Sequence, residues 1–523
     1  MFWADRIAEE IQQKKSGSGK PLIIRDEKTL SGRVHVGSMR GLAIHGIVSE
    51  VLTERGFENE FKWEHNDFDP FDSIPPYLDR AAYEAHLGKP LYAVPSPEAG
   101  YENYAEYYRA EFVTAHEKAD FYPQYYRATE LYRSGQMDPY IKIALERVAD
   151  VRRILKEVSG SVKDESWLPV SVICEQCGKM MTTRAHDYDG ETVAYSCDKG
   201  PGGTVPCGHT GRVSPYGGKA KLFWKVDWAA KWSAMNVDVE GGGKDHSTKG
   251  GARDVSNHIA RELFDREPPF DIPYEFFLVG GKKMSSSKGR GSFATDMARL
   301  FPRALFRLVL IGKDYNQQID IDPEGDSVPR QYDWYDDLEE GVRTGNEDDF
   351  ARLFELIHAP STRAGVLATL PWQLRFSQVA FIVQMPHLSL ADEAAAAKGA
   401  ALTPEETAAL NERADYAKWW LDTYAPERYI YKLQETLPAL ALSDAQKRAL
   451  ELVRDYLADD RTGDEIHLRL HELKTEVPIA PKELFSALYQ LFLGRDSGPK
   501  AGWFLSVLPK EFRVRRLAEA LAA

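Results

Sequence analysis

The stretch Pro21-Leu22-Ile23-Ile24-Arg25-Asp26-Glu27-Lys28-Thr29-Leu30-Ser31-Gly32-Arg33-Val34-His35-Val36-Gly37-Ser38 decides the fold. Residues 21–25 are apolar up to Arg25 and read as a short buried strand. Residues 26–34, with Thr29, Ser31 and Gly32, read as a loop. From Val36, apolar residues fall at Met39, Ala43, Ile44, Ile47, Val51 and Leu52, which is helical spacing, and Gly56 ends the run. Strand, loop and helix in that order open a nucleotide-binding α/β unit. The free amides at such a helix start favour phosphate. Gly37, next to Ser38, lets a ribose or adenine approach the backbone, and His35 can donate to a phosphoryl oxygen as charge builds there. An ordinary loop with a capping histidine would use the same residue types.

The rest of the chain sets the frame. Its 523 residues suit about three domains, and 43% hydrophobic with 28% charged residues excludes a disordered, collagen-like or disulfide-stapled chain. No apolar run is long enough to span a bilayer, and the N-terminus soon brings in Glu9 and Glu10 rather than a signal-peptide pattern. A cytoplasmic monomer with no membrane contact is expected. The net charge of −14 argues against indiscriminate coating of nucleic acid but leaves room for a local basic surface.

Residues 101–158 read as helical, so residues 1–167 form the first part of an α/β domain with a helical connection. All four cysteines fall among Gly and Pro in a small insertion at 168–215. Residues 216–344 return to the α/β domain, and 345–523 read as helices. Capping boxes at Thr403 and Ser443 start two of these, and a third runs from Pro481 to a stop at Gly494.

Four further patterns carry chemistry. Gly281-Lys282-Lys283-Met284-Ser285-Ser286-Ser287-Lys288-Gly289 is a Gly-bounded loop whose lysines suit triphosphate chemistry. In Gly241-Gly242-Gly243-Lys244-Asp245-His246, an aspartate after glycines suits a ribose diol. Cys174-x2-Cys177 and Cys197-x9-Cys207 can close a four-thiolate structural zinc site, with His186 or His209 as alternatives for one thiol. In Phe223-Trp224-Lys225-Val226-Asp227-Trp228, a carboxylate among tryptophans suits an alkylammonium. A core segment with a surface aspartate paired to Lys225 or Lys231 is the plainer alternative.

The HxGx and KMSxS motifs, in this order and far apart, resemble those of class I aminoacyl-tRNA synthetases. The wider set resembles class I lysyl-tRNA synthetases over about residues 20–345: Thr29-x-Ser31-Gly32, Arg127-Ala128-Thr129-Glu130, Val172-Ile173-Cys174, Trp224-Lys225-Val226-Asp227-Trp228, Gly243-Lys244-Asp245-His246 and Pro273-Tyr274-Glu275-Phe276. The resemblance implies a Rossmann-type catalytic domain with a zinc-binding insertion, then an all-α anticodon-binding cage. It implies activation of L-lysine by ATP with Mg2+ and transfer to tRNA(Lys). His35, Lys283 and Lys288 are then the catalytic candidates. Gly37, Ser38, Gly243, Asp245, Met284 and Ser285 join them in binding ATP, and Thr29, Trp224, Asp227, Trp228, His246 and Tyr274 bind lysine. Ser286 stands where the family usually has a second lysine, and Leu30 where it has a proline. A synthetase for another amino acid such as glutamate, or a zinc-bearing RNA-binding paralogue without catalysis, are the alternatives.

Overall fold

The structure, a computed structural model, describes residues 1–15, 20–283, 292–358, 360, 361, 363, 365–385 and 387–523. Strand β1 (Leu22–Thr29) is longer than its apolar start. The loop expected from residue 26 begins only after Thr29. The reason is pairing: all eight residues run parallel to β2 (Asn59–Asn66), from Leu22 opposite Asn59 to Thr29 opposite Asn66. Arg25 and Asp26 are buried within the strand, held by partners rather than by water, so hydropathy does not mark them as strand.

A second difference lies in residues 101–158. The helix Tyr104–Lys118 is followed by a strand, β3 (Gln124–Arg127), which pairs parallel to β2. Its Gln-Tyr-Tyr-Arg sequence has no apolar alternation to reveal it. On the other side of β1, Ile24 bridges in parallel to Val239, and Val239 in parallel to Phe270. The sheet order is therefore β3, β2, β1, the 239 segment, the 270 segment. The order reverses between β1 and the 239 segment, and in open α/β sheets ligands bind in the crevice at that point, beyond the carboxyl ends of the strands.

Helix α1 (Trp3–Lys15) packs on α2 (Met39–Glu54), which is preceded by a single 3-10 turn, Val36–Ser38. The spacing read from Val36 corresponds to α2, whose Met39, Ala43, Ile44, Ile47, Val51 and Leu52 are fully buried. Residues 170–222 form antiparallel ribbons: Val170–Val172 with Ala220–Leu222, and Thr183–Tyr188, Val193–Cys197 and Thr210–Val213 in one sheet.

By internal contacts the chain divides into one unit of residues 1–321 and 337–366, and a second of 322–336 and 367–523. The boundary expected at 344/345 thus differs from this division. Ion pairs and a hydrogen bond tie residues 352–363 to the first unit. Arg352 reaches Asp5 at 3.1 Å and Glu54 at 2.7 Å, Arg363 pairs with Glu50 and Glu54, and fully buried Arg307 donates to the Leu356 carbonyl at 3.0 Å. The second unit is helical. Thr403 and Ser443 cap Pro404–Thr423 and Asp444–Tyr456 through reciprocal boxes, and Pro481–Leu493 ends at Gly494 with φ 68°.

Candidate active site

At the sheet's reversal point lies a cavity of about 470 Å³. Residues far apart in sequence line it: Thr29, His35, Gly37, Ser38, Trp224, Asp227, Trp228, Gly243, Asp245, His246 and Tyr274. Every ATP- or lysine-binding candidate among the described residues is here, except the lysine of the KMSxS segment. Lys283 is described by its backbone alone, in a two-residue strand antiparallel to Phe277–Val279. Met284, Ser285 and Lys288, with Ser286, lie outside the described residues.

The cavity floor is built from charges that no short motif announces. Arg25, fully buried, donates to Glu240 at 2.6 Å and Glu64 at 2.7 Å and pairs with Glu27. Lys231, also fully buried, meets Glu64 at 2.5 Å, Asp227 at 2.9 Å and Glu27 at 3.3 Å. Lys221 pairs with Asp69, which also accepts from Thr29 at 2.6 Å. Trp228 and Trp232 donate their indole N–H groups to Glu240 at 2.7 and 2.9 Å. Buried ions survive only when paired and hydrogen-bonded in this way.

The balance is uneven. Among the described residues, six carboxylates line the cavity, on Asp26, Glu27, Asp69, Asp227, Glu240 and Asp245, against the single lysine Lys28. Adding the buried Glu64, Arg25, Lys221 and Lys231 leaves seven acids to four bases. The floor around Glu27 therefore favours a cationic guest and disfavours an anionic side chain.

Asp227 lines the cavity, but both its oxygens are engaged. One accepts from the Tyr132 hydroxyl at 2.5 Å and the other faces Lys231. The expectation of Asp227 as the direct partner of a ligand ammonium therefore meets a group already paired. The pair is buried, not on the surface, because Asp227 starts a turn of the Trp224–Ala234 helix that places Lys231 one turn on, beneath the floor. Glu27 differs. Its contacts with Arg25 and Lys231 both use Oε2, Oε1 has no partner among the described residues, and its side chain is 33% exposed. Burial would raise its pKa, but Lys231 and then Arg25 override this and hold the carboxyl far below its usual range.

The remaining walls fit an extended aliphatic chain and a nucleoside. His246 stands edge-on to Trp224 at 6.2 Å and to Trp228 at 6.0 Å, and Trp224 is half exposed at the rim. A Cβ at Gly243 would come within 2.8 Å of the Asp245 carboxylate, so the glycine leaves room for that side chain. A Cβ at Gly41 would strike Asp26 at 2.2 Å and the Tyr274 hydroxyl at 2.7 Å, which lets α2 lie against the cavity. Burial pushes the Tyr274 phenol well above its usual pKa, so it stays a neutral hydrogen-bonding wall. Glu275 is taken up by Lys244 at 2.5 Å.

Sequence reading missed Arg25, Glu64, Asp69, Lys221 and Glu240, and offered Lys231 only as a surface partner of Asp227. The one local signal is the run Arg25-Asp26-Glu27-Lys28 following three apolar residues in a strand. The others become neighbours only through the sheet register and the Trp224–Ala234 helix.

Away from the cavity, the four cysteine sulfurs lie within 4.8 Å of one another, with Cys174–Cys207 at 3.6 Å and Cys177–Cys197 at 3.8 Å, and none is in a disulfide. Four sulfurs about 2.3 Å from a tetrahedral zinc ion are about 3.8 Å apart. The set closes without His186 or His209. Left without an ion, burial pushes the Cys177 thiol up to about 12.

Residues 1–360 match the family described as tRNA synthetases class I (K), and the chain belongs to that family. Full-length relatives narrow the class further. This chain is 34% identical to a lysine–tRNA ligase of Methanosarcina barkeri, over 99% of this chain and 98% of that one. It is 30% identical to one of Archaeoglobus fulgidus, over the whole of both chains. A solved glutamate tRNA ligase from Elizabethkingia meningosepticum is 11% identical with a TM-score of 0.39, covering 96% of this chain and all of that one, too distant to bear on the substrate.

Proposed function

We propose that the chain is a lysine–tRNA ligase. It joins L-lysine to ATP as lysyl-adenylate, releases pyrophosphate, and passes lysine to the terminal ribose of tRNA(Lys). The observation that carries the choice of lysine is the acid-rich cavity floor with one carboxylate oxygen, Glu27 Oε1, left for a cation. Glutamate would bring an anion to that floor, which disfavours the alternative.

The chemistry needs no protein nucleophile. The lysine carboxylate attacks the α-phosphorus and pyrophosphate leaves, so rate comes from positioning and charge stabilisation. His35, Gly37 and Ser38 hold the phosphate end at the 3-10 turn, Asp245 beside Gly243 holds the ribose, and Thr29, Trp228, His246 and Tyr274 enclose the amino acid. Trp224 closes the rim. Lys283, with Lys288 in support, stabilises the charge of the departing pyrophosphate, and Met284 and Ser285 belong to the same ATP-binding loop. Mg2+ bound with ATP shields phosphate charge. Asp227 acts one layer below Glu27, fixing Lys231.

The cysteine set holds a structural zinc ion: four thiolates fill its coordination and leave no position for substrate. The helical residues beyond 345 read the anticodon. Among the described residues no helix is long and apolar enough to cross a membrane. A monomer working in the cytoplasm fits this reading.

ATP–pyrophosphate exchange measured with each amino acid tests the proposal. Exchange with lysine alone is expected. Exchange with glutamate and not lysine would reverse the assignment, and no exchange with any amino acid would favour a non-catalytic RNA-binding role.

A further inference from the structure

His45 is fully buried near the middle of α2, where an ordinary core position would carry an apolar residue. Both ring nitrogens are engaged. Nδ1 lies 2.8 Å from the Gly41 carbonyl of the preceding turn and 3.3 Å from the Asp26 carboxylate on β1. Carbonyl and carboxylate only accept, so Nδ1 carries the proton. Nε2 therefore has a lone pair, and it accepts the backbone N–H of Gly241 at 2.8 Å. Gly241 opens the turn that ends in Asp245. A side chain there has no space, since a Cβ would sit 2.3 Å from the Ile272 carbonyl. One imidazole thus joins three pieces of the cavity wall: the helix that follows the HxGx turn, the carboxyl end of β1, and the glycine turn.

We infer that His45 is a positioning residue for the nucleotide: in its neutral form it accepts the Gly241 N–H and so fixes the turn that presents Gly243 and Asp245 to the ATP ribose. This rests on the proposed ribose role of that turn. The contact works in one protonation state only. A second proton would sit on Nε2 and point at the Gly241 N–H, donor against donor, while the cation would remain attractive to Asp26. The charged and titratable groups that face the ring are Asp26 on β1, Glu240 just before the turn, and the Tyr274 phenol edge-on at 6.5 Å; Phe61 on β2 faces it without charge. Burial alone would lower the imidazole's pKa, but the Asp26 carboxylate, aided by the Gly41 carbonyl, overrides it and raises the group above its ordinary value. Acid that protonates Nε2 therefore releases the turn.

Exchange kinetics on the full-length protein test this. His45→Leu keeps an apolar core side chain but leaves the Gly241 N–H unpaired, so the KM for ATP should rise about tenfold, while the KM for lysine changes little. His45→Gln supplies an amide oxygen that cannot titrate, so it should restore the KM for ATP. In the wild type the KM for ATP should climb as pH falls through the imidazole's pKa, and in His45→Gln that climb should be absent. An equal rise of both KM values in His45→Leu, failure of glutamine to rescue, or the same acid climb in His45→Gln would each overturn the inference. Because the wild-type profile needs no variant, loss of folding in His45→Leu leaves the pH comparison with His45→Gln to decide it. Absence of any exchange by the wild type would instead refute the proposed function.

Discussion

Two polar interiors lie in the first unit, and they solve the burial of reactive groups in opposite ways. On the cavity floor, Arg25 and Lys231 share Glu27, Glu64, Asp227 and Glu240, so the charges largely satisfy one another before any ligand arrives. In the 170–222 ribbons, four thiols crowd within 4.8 Å and can serve one another only as weak partners. The first is a preorganised surface with a small surplus of negative charge. The second is a set of ligands whose spacing suits a metal ion. Function depends on the scaffold at the floor, and the scaffold depends on a guest at the cysteines: the floor should fail through its own mutations, the cysteine cluster through chelation.

Breaking the floor at its centre should have the largest effect. Lys231→Met leaves Glu64 and Asp227 buried without their common cation, and removing one partner of a buried pair costs about 3–5 kcal/mol. Chemical denaturation should show that loss, with exchange activity falling alongside; wild-type stability in this variant would mean that the floor is not a mutually dependent network. Asp227→Asn should be milder. Lys231 keeps Glu64 and Glu27, and the Tyr132 hydroxyl keeps an acceptor, so about 1–3 kcal/mol of stability is lost, with little change in the KM for lysine. A large, selective rise in that KM would restore Asp227 as the ammonium's own partner.

The cysteine cluster supplies the smallest effect on chemistry. Cys174→Ser should release zinc, measured by elemental analysis of purified protein, and loosen the ribbons, since a structural site contributes folding free energy locally. Exchange should persist, because none of the four sulfurs lines the cavity. Absence of zinc from the wild type, or abolished exchange in a folded Cys174→Ser protein, would erase the contrast between the two interiors.

The same contrast explains what could be read in advance. The cysteine spacing, the HxGx junction and the glycine turn are local, and their candidate residues fall together in the cysteine cluster or the cavity. Helix ends in the second unit were legible for the same reason: Thr403 with Glu406 and Ser443 with Gln446 satisfy backbone groups three residues apart. The floor was not legible. Arg25 meets Glu64 through strand pairing and Glu240 across 215 residues, and a charged residue in a strand reads as its end. β3 was hidden likewise, since four polar and aromatic residues become a strand only when β2 offers its edge. The tryptophans around Asp227 suggest an ammonium site, but its helical partner Lys231, one turn away, is also visible in the sequence and outweighs them.

Glu27→Gln probes the ammonium's proposed partner itself. It keeps the side chain's shape and Oε2-side contacts while removing the charge proposed to meet the lysine ammonium. Losing one member of a hydrogen-bonded charge pair costs roughly 2–5 kcal/mol. The KM for lysine in ATP–pyrophosphate exchange should therefore rise well over tenfold, with the KM for ATP little changed. An unaltered KM for lysine in a folded, active Glu27→Gln protein would contradict the account.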